Sequence, residues 1–392
     1  MKKDKCVLVL GGYINSYSII QELYEKHVIE IILLDTTRSV ASYSNKIKKF
    51  VLIENSPDAL RDEIQKLHED YDYIVIFPTN DLHLEYLHQV YADISSYCFM
   101  PFNYNNLLQC LDKYTQYEHC EQLNVPYPKT MCINSIEDLD KMSTLKYPVI
   151  IKPRKRDDIS TDVFRNLQLQ TKLDLEAYSV YIEKYLAKGI TFLASEIIPG
   201  DGSNIYAYVG YRSKDGKILN EWTGKKLSQY PDDFGVFASA SNEAPEEVLH
   251  QGRTLLNGMD LIGIAEPEFK FDPRDGKYKL MEINLRSMMW HRVGNLSGVN
   301  IQYSQYLDAI GENVEKQIQE RTRKIHFVYL KHEIVNLIKR KGYYRTAYYN
   351  LFKSDKTFIA FFDPWDLWPF LKDTIFAIKR MVEICLKALR CI

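Results

Sequence analysis

Two short stretches carry residue types that can hold a divalent cation, Glu266-Pro-Glu-Phe-Lys-Phe271 and Tyr278-Lys-Leu-Met-Glu-Ile-Asn-Leu285. With period two, the second is a strand with Met281, Ile283 and Leu285 on one face. Glu282, Asn284 and Arg286 then line the other. Pairing the stretches across the loop Pro273–Lys277 sets Glu268 opposite Glu282. Like charges facing each other across strands are destabilising, so a neutralising cation is expected there. The carboxylates of Glu268 and Glu282 and the amide oxygen of Asn284 are hard ligands of the kind Mg²⁺ (or Mn²⁺) prefers, with phosphate oxygens and water filling the other positions. Lys270 and Arg286 share the face and fit the phosphate itself. The same row also reads as a solvated hairpin face, and a one-residue slip would turn Glu282 away.

Strand and helix alternate ahead of this hairpin. "CVLVLGG" is a buried-strand run ending in a glycine turn, and "YSIIQELYEKH" is an amphipathic helix. "IEIILLD" and "YDYIVIFPTND" are further strands, which predicts a parallel, doubly wound sheet. Ligands of such sheets gather at the carboxyl ends of strands, which makes Gly11, Gly12, Asn80 and Asp81 substrate candidates. A helix over residues 105–124 follows, then the apolar run "YPVIIKP". No glycine lies between Tyr13 and Lys188, so a dinucleotide fingerprint and a P-loop are excluded from that region. Beyond Gly189 the chain becomes glycine-punctuated strands with the turn signals "SKDG" and "DPRDG", a largely antiparallel pattern.

The 392 residues exceed one ordinary core and call for two or three domains. A net charge of −2 gives no electrostatic reason to expect nucleic acid. Seven dispersed cysteines without a CxxC pair suit a reducing compartment. The opening "MKKDKCVLVLGGY" has too short an apolar run for an export signal, and no apolar stretch reaches the ~20 residues that span a bilayer. The expected location is cytoplasmic.

From Lys331 the basic residues outnumber the acids. Leu371, Ile375, Ile378, Val382, Leu386 and Leu389 form one helical stripe, preceded by Trp365, Trp368 and Phe370. Lys372, Lys379, Arg380, Lys387 and Arg390 mostly lie off it. Such a helix suits the inner face of a membrane, through 363–392, or packing on the protein's own body or a second subunit.

The hairpin residues resemble the metal-binding end of the ATP-grasp superfamily, where an acid and then E-x-N hold magnesium against ATP. They are similar in particular to its carboxylate–amine ligase branch. Over residues 5–310 further segments match in order. "LDKYTQYEHCEQLNVPYPKT" resembles the helix and turn carrying a first nucleotide lysine, Lys113; "YPVIIKP" resembles the strand carrying a second, Lys152. "ASEIIPGDGSN" resembles the adenine hinge, which implies backbone contacts at Glu196 and Ile198 and a ribose contact at Asp201. Lys225 or Lys226 falls where relatives carry a basic pair, implying contact with the γ-phosphate or an acyl phosphate. Arg286 suits phosphate or a substrate carboxylate. The glycine-rich phosphate lid of many relatives has no counterpart, and Arg154, Lys155 and Arg156 stand in its place.

The resemblance implies a pre-ATP-grasp α/β domain (1–105), an ATP-grasp small lobe (106–190), a large lobe with the metal site (191–315) and a basic aromatic helical extension (316–392). The implied activity joins a small-molecule carboxylate to an amine through an acyl phosphate, the amine being on a cell-envelope precursor or polysaccharide. A soluble amino-acid or dipeptide ligase and a non-catalytic nucleotide-binding scaffold are the alternatives. A homodimer is left open.

Overall fold

A computed structural model describes residues 2–154, 163–232 and 235–390, with side chains up to Lys379. Lys155 and Arg156, and the side chains of Arg380, Val382, Leu386, Lys387, Leu389 and Arg390, lie outside the described residues. The chain forms two compact units. One comprises Met1–Asn105, Asp201–Glu266 and Asn284–Ile392; the other comprises Asn106–Gly200 and Pro267–Ile283.

The first unit opens with a five-stranded sheet of β1 (Lys3–Leu10), β2 (Ile31–Asp35), β3 (Lys49–Leu52), β4 (Tyr71–Phe77) and β5 (Cys98–Phe99). Its order is β3-β2-β1-β4-β5, and every neighbour pair is parallel. Val7, Leu8, Val9 and Leu10 are all buried, because a parallel sheet is covered on both faces, and this makes β1 an unbroken apolar run. The helix Ile14–Glu25 follows β1 as the sequence pattern requires.

In the second unit, β6 (Thr130–Ile133), β7 (Val149–Pro153), β8 (Leu167–Leu169) and β9 (Phe192–Glu196) form a sheet of order β6-β9-β7-β8. All its pairs are antiparallel. Ile133, Met142, Val149, Ile151, Ile182 and Phe192 make its core. The helix expected over 105–124 is two helices, Leu107–Leu111 and Lys113–Gln122. Asp112 breaks it: its carboxylate accepts the Thr115 N–H at 2.9 Å and caps the second helix. Lys113 therefore occupies the first turn of a helix and not its middle.

The rest of the first unit is built on β10 (Ile205–Arg212), β11 (Ile218–Tyr230) and β12 (Val236–Ser241), joined antiparallel. The strand β13 (Gly263–Asp272) begins in this unit, and its residues from Pro267 belong to the second, as do those of β14 (Lys277–Asn284) up to Ile283. β14 starts at Lys277, one residue earlier than the loop Pro273–Lys277 allows. Asp272 closes the turn, its carbonyl accepting the Gly276 N–H at 2.9 Å.

The segment expected to be a helical extension also supplies two strands. β15 (Ile325–Val328) pairs antiparallel with β12, and β16 (Lys356–Ile359) pairs parallel with β15. Behind them the buried carboxylate of Glu333 accepts from Ser228, Ser239, Tyr343 and Asn350. Asp366, also buried, accepts from the Tyr17 hydroxyl at 3.2 Å and the Asn45 N–H at 3.1 Å, and Asp363 pairs with Lys46. Phe361 packs on Tyr17 with ring centroids 5.5 Å apart. Residues 361–373 are thus fastened to the body through side-chain hydrogen bonds. Among the described residues, no helix is long and apolar enough to cross a membrane.

Candidate active site

In the second unit, one face of the helix Lys113–Gln122 is fitted to β14. Gln116, buried, uses its whole amide. Its oxygen accepts the Ile283 N–H at 2.9 Å; its nitrogen donates to the Ile283 carbonyl at 3.1 Å and to the Cys110 carbonyl at 2.8 Å. The Tyr117 hydroxyl donates to the Met281 carbonyl at 2.9 Å, and the Leu280 N–H donates to the Pro126 carbonyl at 2.8 Å. Residues i, i+3 and i+4 share a helix face, so the turn that grips β14 also carries Lys113. Its ammonium forms an ion pair with Glu282.

The pair is half exposed, with Lys113 at 42% and Glu282 at 35%. Burial works against the Lys113 charge. The Glu282 carboxylate, with Tyr117 and Glu268 contributing less, outweighs it and holds the ammonium above the usual lysine range. Both acids of the predicted ligand set therefore act on one cation. Lys152, on β7 opposite Leu193, responds in the other direction: burial, then the Lys113 charge, pushes its ammonium down to about 8. Two lysines and two carboxylates that influence one another in this way can receive a polyphosphate with its cation.

Hinge residues stand close by in sequence. The Glu196 N–H donates to the Lys129 carbonyl at 3.0 Å and its carboxylate accepts the Lys146 N–H at 2.9 Å, so this residue is engaged by the fold. Ile198 is buried. Lys270 donates to the Gly200 carbonyl at 2.5 Å, which places it at the end of the hinge. Arg154 lies over the Tyr114 ring, 5.4 Å from its centre, and meets Asp112 at 3.4 Å. Arg274 and Lys279 hold the Asp272 carboxyl well below the usual carboxylate range, Arg274 most strongly, and so brace the hairpin turn.

In the first unit Gly11, Gly12, Asn80 and Asp81 lie at the carboxyl ends of β1 and β4. Arg286 Nε donates to Asp81 at 2.7 Å, across 205 residues of sequence. Asn80 caps the helix Asp81–Gln89 by accepting the His83 N–H at 2.8 Å. Gly11 has φ +82°, and a Cβ there would stand 2.6 Å from the Thr79 hydroxyl oxygen and 3.1 Å from His83. A Cβ on Gly12 would run into Ser39. Both glycines are thus required by the protein's own packing at this turn. Burial, then the Arg286 charge, pushes His83 down to about 4, so it stays neutral at ordinary pH.

Lys225 and Lys226 are adjacent on β11 and point to opposite faces. Lys225 lies over the Tyr206 ring at 5.2 Å, whereas Lys226 is buried. Asp201 accepts from the Ser203 N–H at 2.9 Å and caps a short 3₁₀ turn. Asn284 is buried, and its amide nitrogen has no hydrogen-bond partner among the described residues.

Sequence reasoning passed over Gln116, His83 and the fully buried pair of His291 with Glu266. His291 Nδ1 lies 3.3 Å from the Met288 N–H and accepts it, leaving Nε2–H for Glu266. Glu266 stood two residues before Glu268 on the same strand face, which was the available signal.

The residues fit a hard divalent cation. Glu268 is buried, Glu282 is half exposed, and a lysine ammonium already lies against Glu282. No group of three or more His, Cys, Asp or Glu gathers among the described residues.

No family model matches the sequence. The chain is 25% identical over 240 residues to a D-aspartate ligase of Enterococcus faecium (strain Aus0004), a match covering 58% of this chain. It spans 56% of that protein, just over half its length. Among solved structures, N5-carboxyaminoimidazole synthetase from Staphylococcus aureus superposes with TM-score 0.63 at 15% identity, over 83% of this chain and 82% of that one. An L-amino acid ligase from Bacillus licheniformis gives 0.58 at 13% identity, over 83% and 79%. A synthetase of the first kind in complex with ADP gives 0.63 at 14% identity, over 87% and 85%. The chain therefore has the ATP-grasp fold, and its sequence is similar to that of a D-aspartate ligase.

Proposed function

We propose that this protein is an ATP-dependent carboxylate–amine ligase. The observation that carries the reading is the Lys113–Glu282 pair, with Lys152 and Glu268 acting on it and Gln116 fixing the strand beneath it. Phosphoryl transfer needs positioned charge more than covalent groups, and this cluster supplies it. A substrate carboxylate oxygen attacks the γ-phosphorus while the bond to the β-phosphate oxygen breaks, giving an acyl phosphate and ADP. The amine nitrogen then attacks the acyl carbon, inorganic phosphate leaves, and the amine gives up a proton.

Lys113 and Lys152 bind the phosphates, and Ile198, Glu196 and Asp201 hold the nucleoside. Glu268, Glu282 and Asn284 would hold Mg²⁺ or Mn²⁺, which when bound neutralises charge on the phosphate oxygens. Arg286, set by Asp81, suits the substrate carboxylate or the phosphate, and Lys225 or Lys226 would meet the γ-phosphate or the acyl phosphate. The carboxylate is an amino acid, as the likeness to a D-aspartate ligase suggests. The amine belongs to a cell-envelope precursor or polysaccharide assembled at the cytoplasmic face of a membrane. The likeness to an L-amino acid ligase favours a second reading, in which both substrates are free amino acids.

A phosphate-release screen with ATP and Mg²⁺, across amino acids paired with amino sugars or amino acids, tests the proposal. Release that needs both a carboxylate and an amine supports it. ATP binding with no release for any pair would instead make the chain a nucleotide-binding scaffold.

A further inference from the structure

Over its described side chains, which end at Lys379, the helix Leu367–Arg390 has one apolar face packed on the protein and another exposed. Phe370 and Phe376 pack against the core of the first unit, and Asp373 between them accepts the Tyr329 hydroxyl at 2.9 Å. Leu371, Ile375 and Ile378 recur at steps of four and three on another face and stand in water, 44%, 41% and 53% exposed. At the head of this stripe lie the indoles of Trp365 and Trp368, at 86% and 59%. Soluble surfaces scatter single exposed apolar residues, but a row of five headed by two indoles marks an interaction site.

Charge identifies the occupant. Residues 331–379 contain nine basic and five acidic side chains. Three of the acids, Glu333, Asp366 and Asp373, are buried as hydrogen-bond acceptors, and Asp363 is paired with Lys46. The interior has consumed the negative charge, so the surface of this region is more basic than its composition. Lys372 lies over the Tyr43 ring at 4.5 Å and the Trp368 ring at 5.9 Å, at the flank of the stripe, and Lys379 is exposed one turn beyond Ile375.

We infer that this face docks on an anionic phospholipid bilayer. The helix would lie in the interface, with Leu371, Ile375 and Ile378 among the acyl chains, the indoles at the headgroups and the lysines on lipid phosphates. The inference stands apart from the ligase reading, since the acids that anchor the helix are far in sequence from every residue given a chemical role.

Sedimentation of the full chain with vesicles tests it, comparing phosphatidylcholine alone with a phosphatidylcholine–phosphatidylglycerol mixture. The chain should sediment with the anionic vesicles and not the neutral ones, and added salt should release it. Trp365→Ser with Trp368→Ser, and separately Ile375→Glu, should weaken partitioning by about tenfold or more while the melting temperature holds, because these side chains are exposed. Phosphate release from soluble substrates by the same variants should match wild type, which keeps this test separate from that of the ligase reading. No sedimentation, equal sedimentation with both vesicles, or unaltered partitioning of the variants would overturn the proposal. So would a dimer in analytical ultracentrifugation that Ile375→Glu dissociates while vesicles capture nothing, which would assign the face to a second copy of the chain.

Discussion

Glu282 in the second unit and Glu333 in the first are both carboxylates surrounded by donors, and their surroundings differ in kind. Glu333 is 1% exposed and accepts from four neutral side chains, Ser228 on β11, Ser239 on β12, Tyr343, and Asn350 in the helix Tyr344–Phe352. Glu282 is about a third exposed and forms an ion pair with the Lys113 ammonium, itself 42% exposed. A buried carboxylate satisfied by fixed neutral donors is a fastening, because releasing any partner strands a polar group. A partly exposed carboxylate in an ion pair is exchangeable: another cation can replace the ammonium at little cost, since exposed pairs contribute about 1 kcal/mol or less.

Substitutions can break this comparison. The largest effect expected is on chemistry at Glu282: Glu282→Gln should lower turnover by about a thousandfold, as loss of a transition-state charge contact does, with the melting temperature nearly unchanged. Glu333→Gln should show the converse. It should cost about 3 kcal/mol in denaturant unfolding, from mispaired buried hydroxyls, while activity per folded molecule is retained. Gln116→Leu lies between the two. Loss of its hydrogen bonds to Ile283 should cost about 2 kcal/mol of stability and also reduce turnover, because the backbone on either side of Glu282 is released.

The smallest effect expected concerns Lys152. Its ammonium, pushed down to about 8, is charged below that pH and neutral above it. Bound phosphates favour the charged form, so ATP binding should take up a proton near this pH. ATP affinity measured by titration should fall about fivefold between pH 8 and pH 9. A flat profile would mean that Lys152 does not meet the phosphates.

The strands of the parallel sheet were legible because burial on both faces writes a continuous apolar run into β1, β2 and β4. The two strands of the hairpin were legible because the turn signal DPRDG separates them. Gln116 was not, since it acts on the backbone of a strand 167 residues away and leaves no pattern of its own. The four-residue strands β15 and β16 were too short to stand out from the aromatic region around them. The stripe of the last helix was readable, yet the sequence could not say that Phe370 and Phe376 would be the buried face. Packing chose between two apolar faces, and only the tertiary contacts record that choice.

On the proposed function, the Glu282 carboxylate exchanges the Lys113 ammonium for the cation that accompanies ATP. Calorimetric titration of ATP into the protein, with Mg²⁺ and with EDTA, tests it most directly when wild type and Glu282→Gln are compared. Mg²⁺ should strengthen ATP binding to wild type by at least about tenfold and have little effect on the variant. Equal strengthening in both proteins would contradict it.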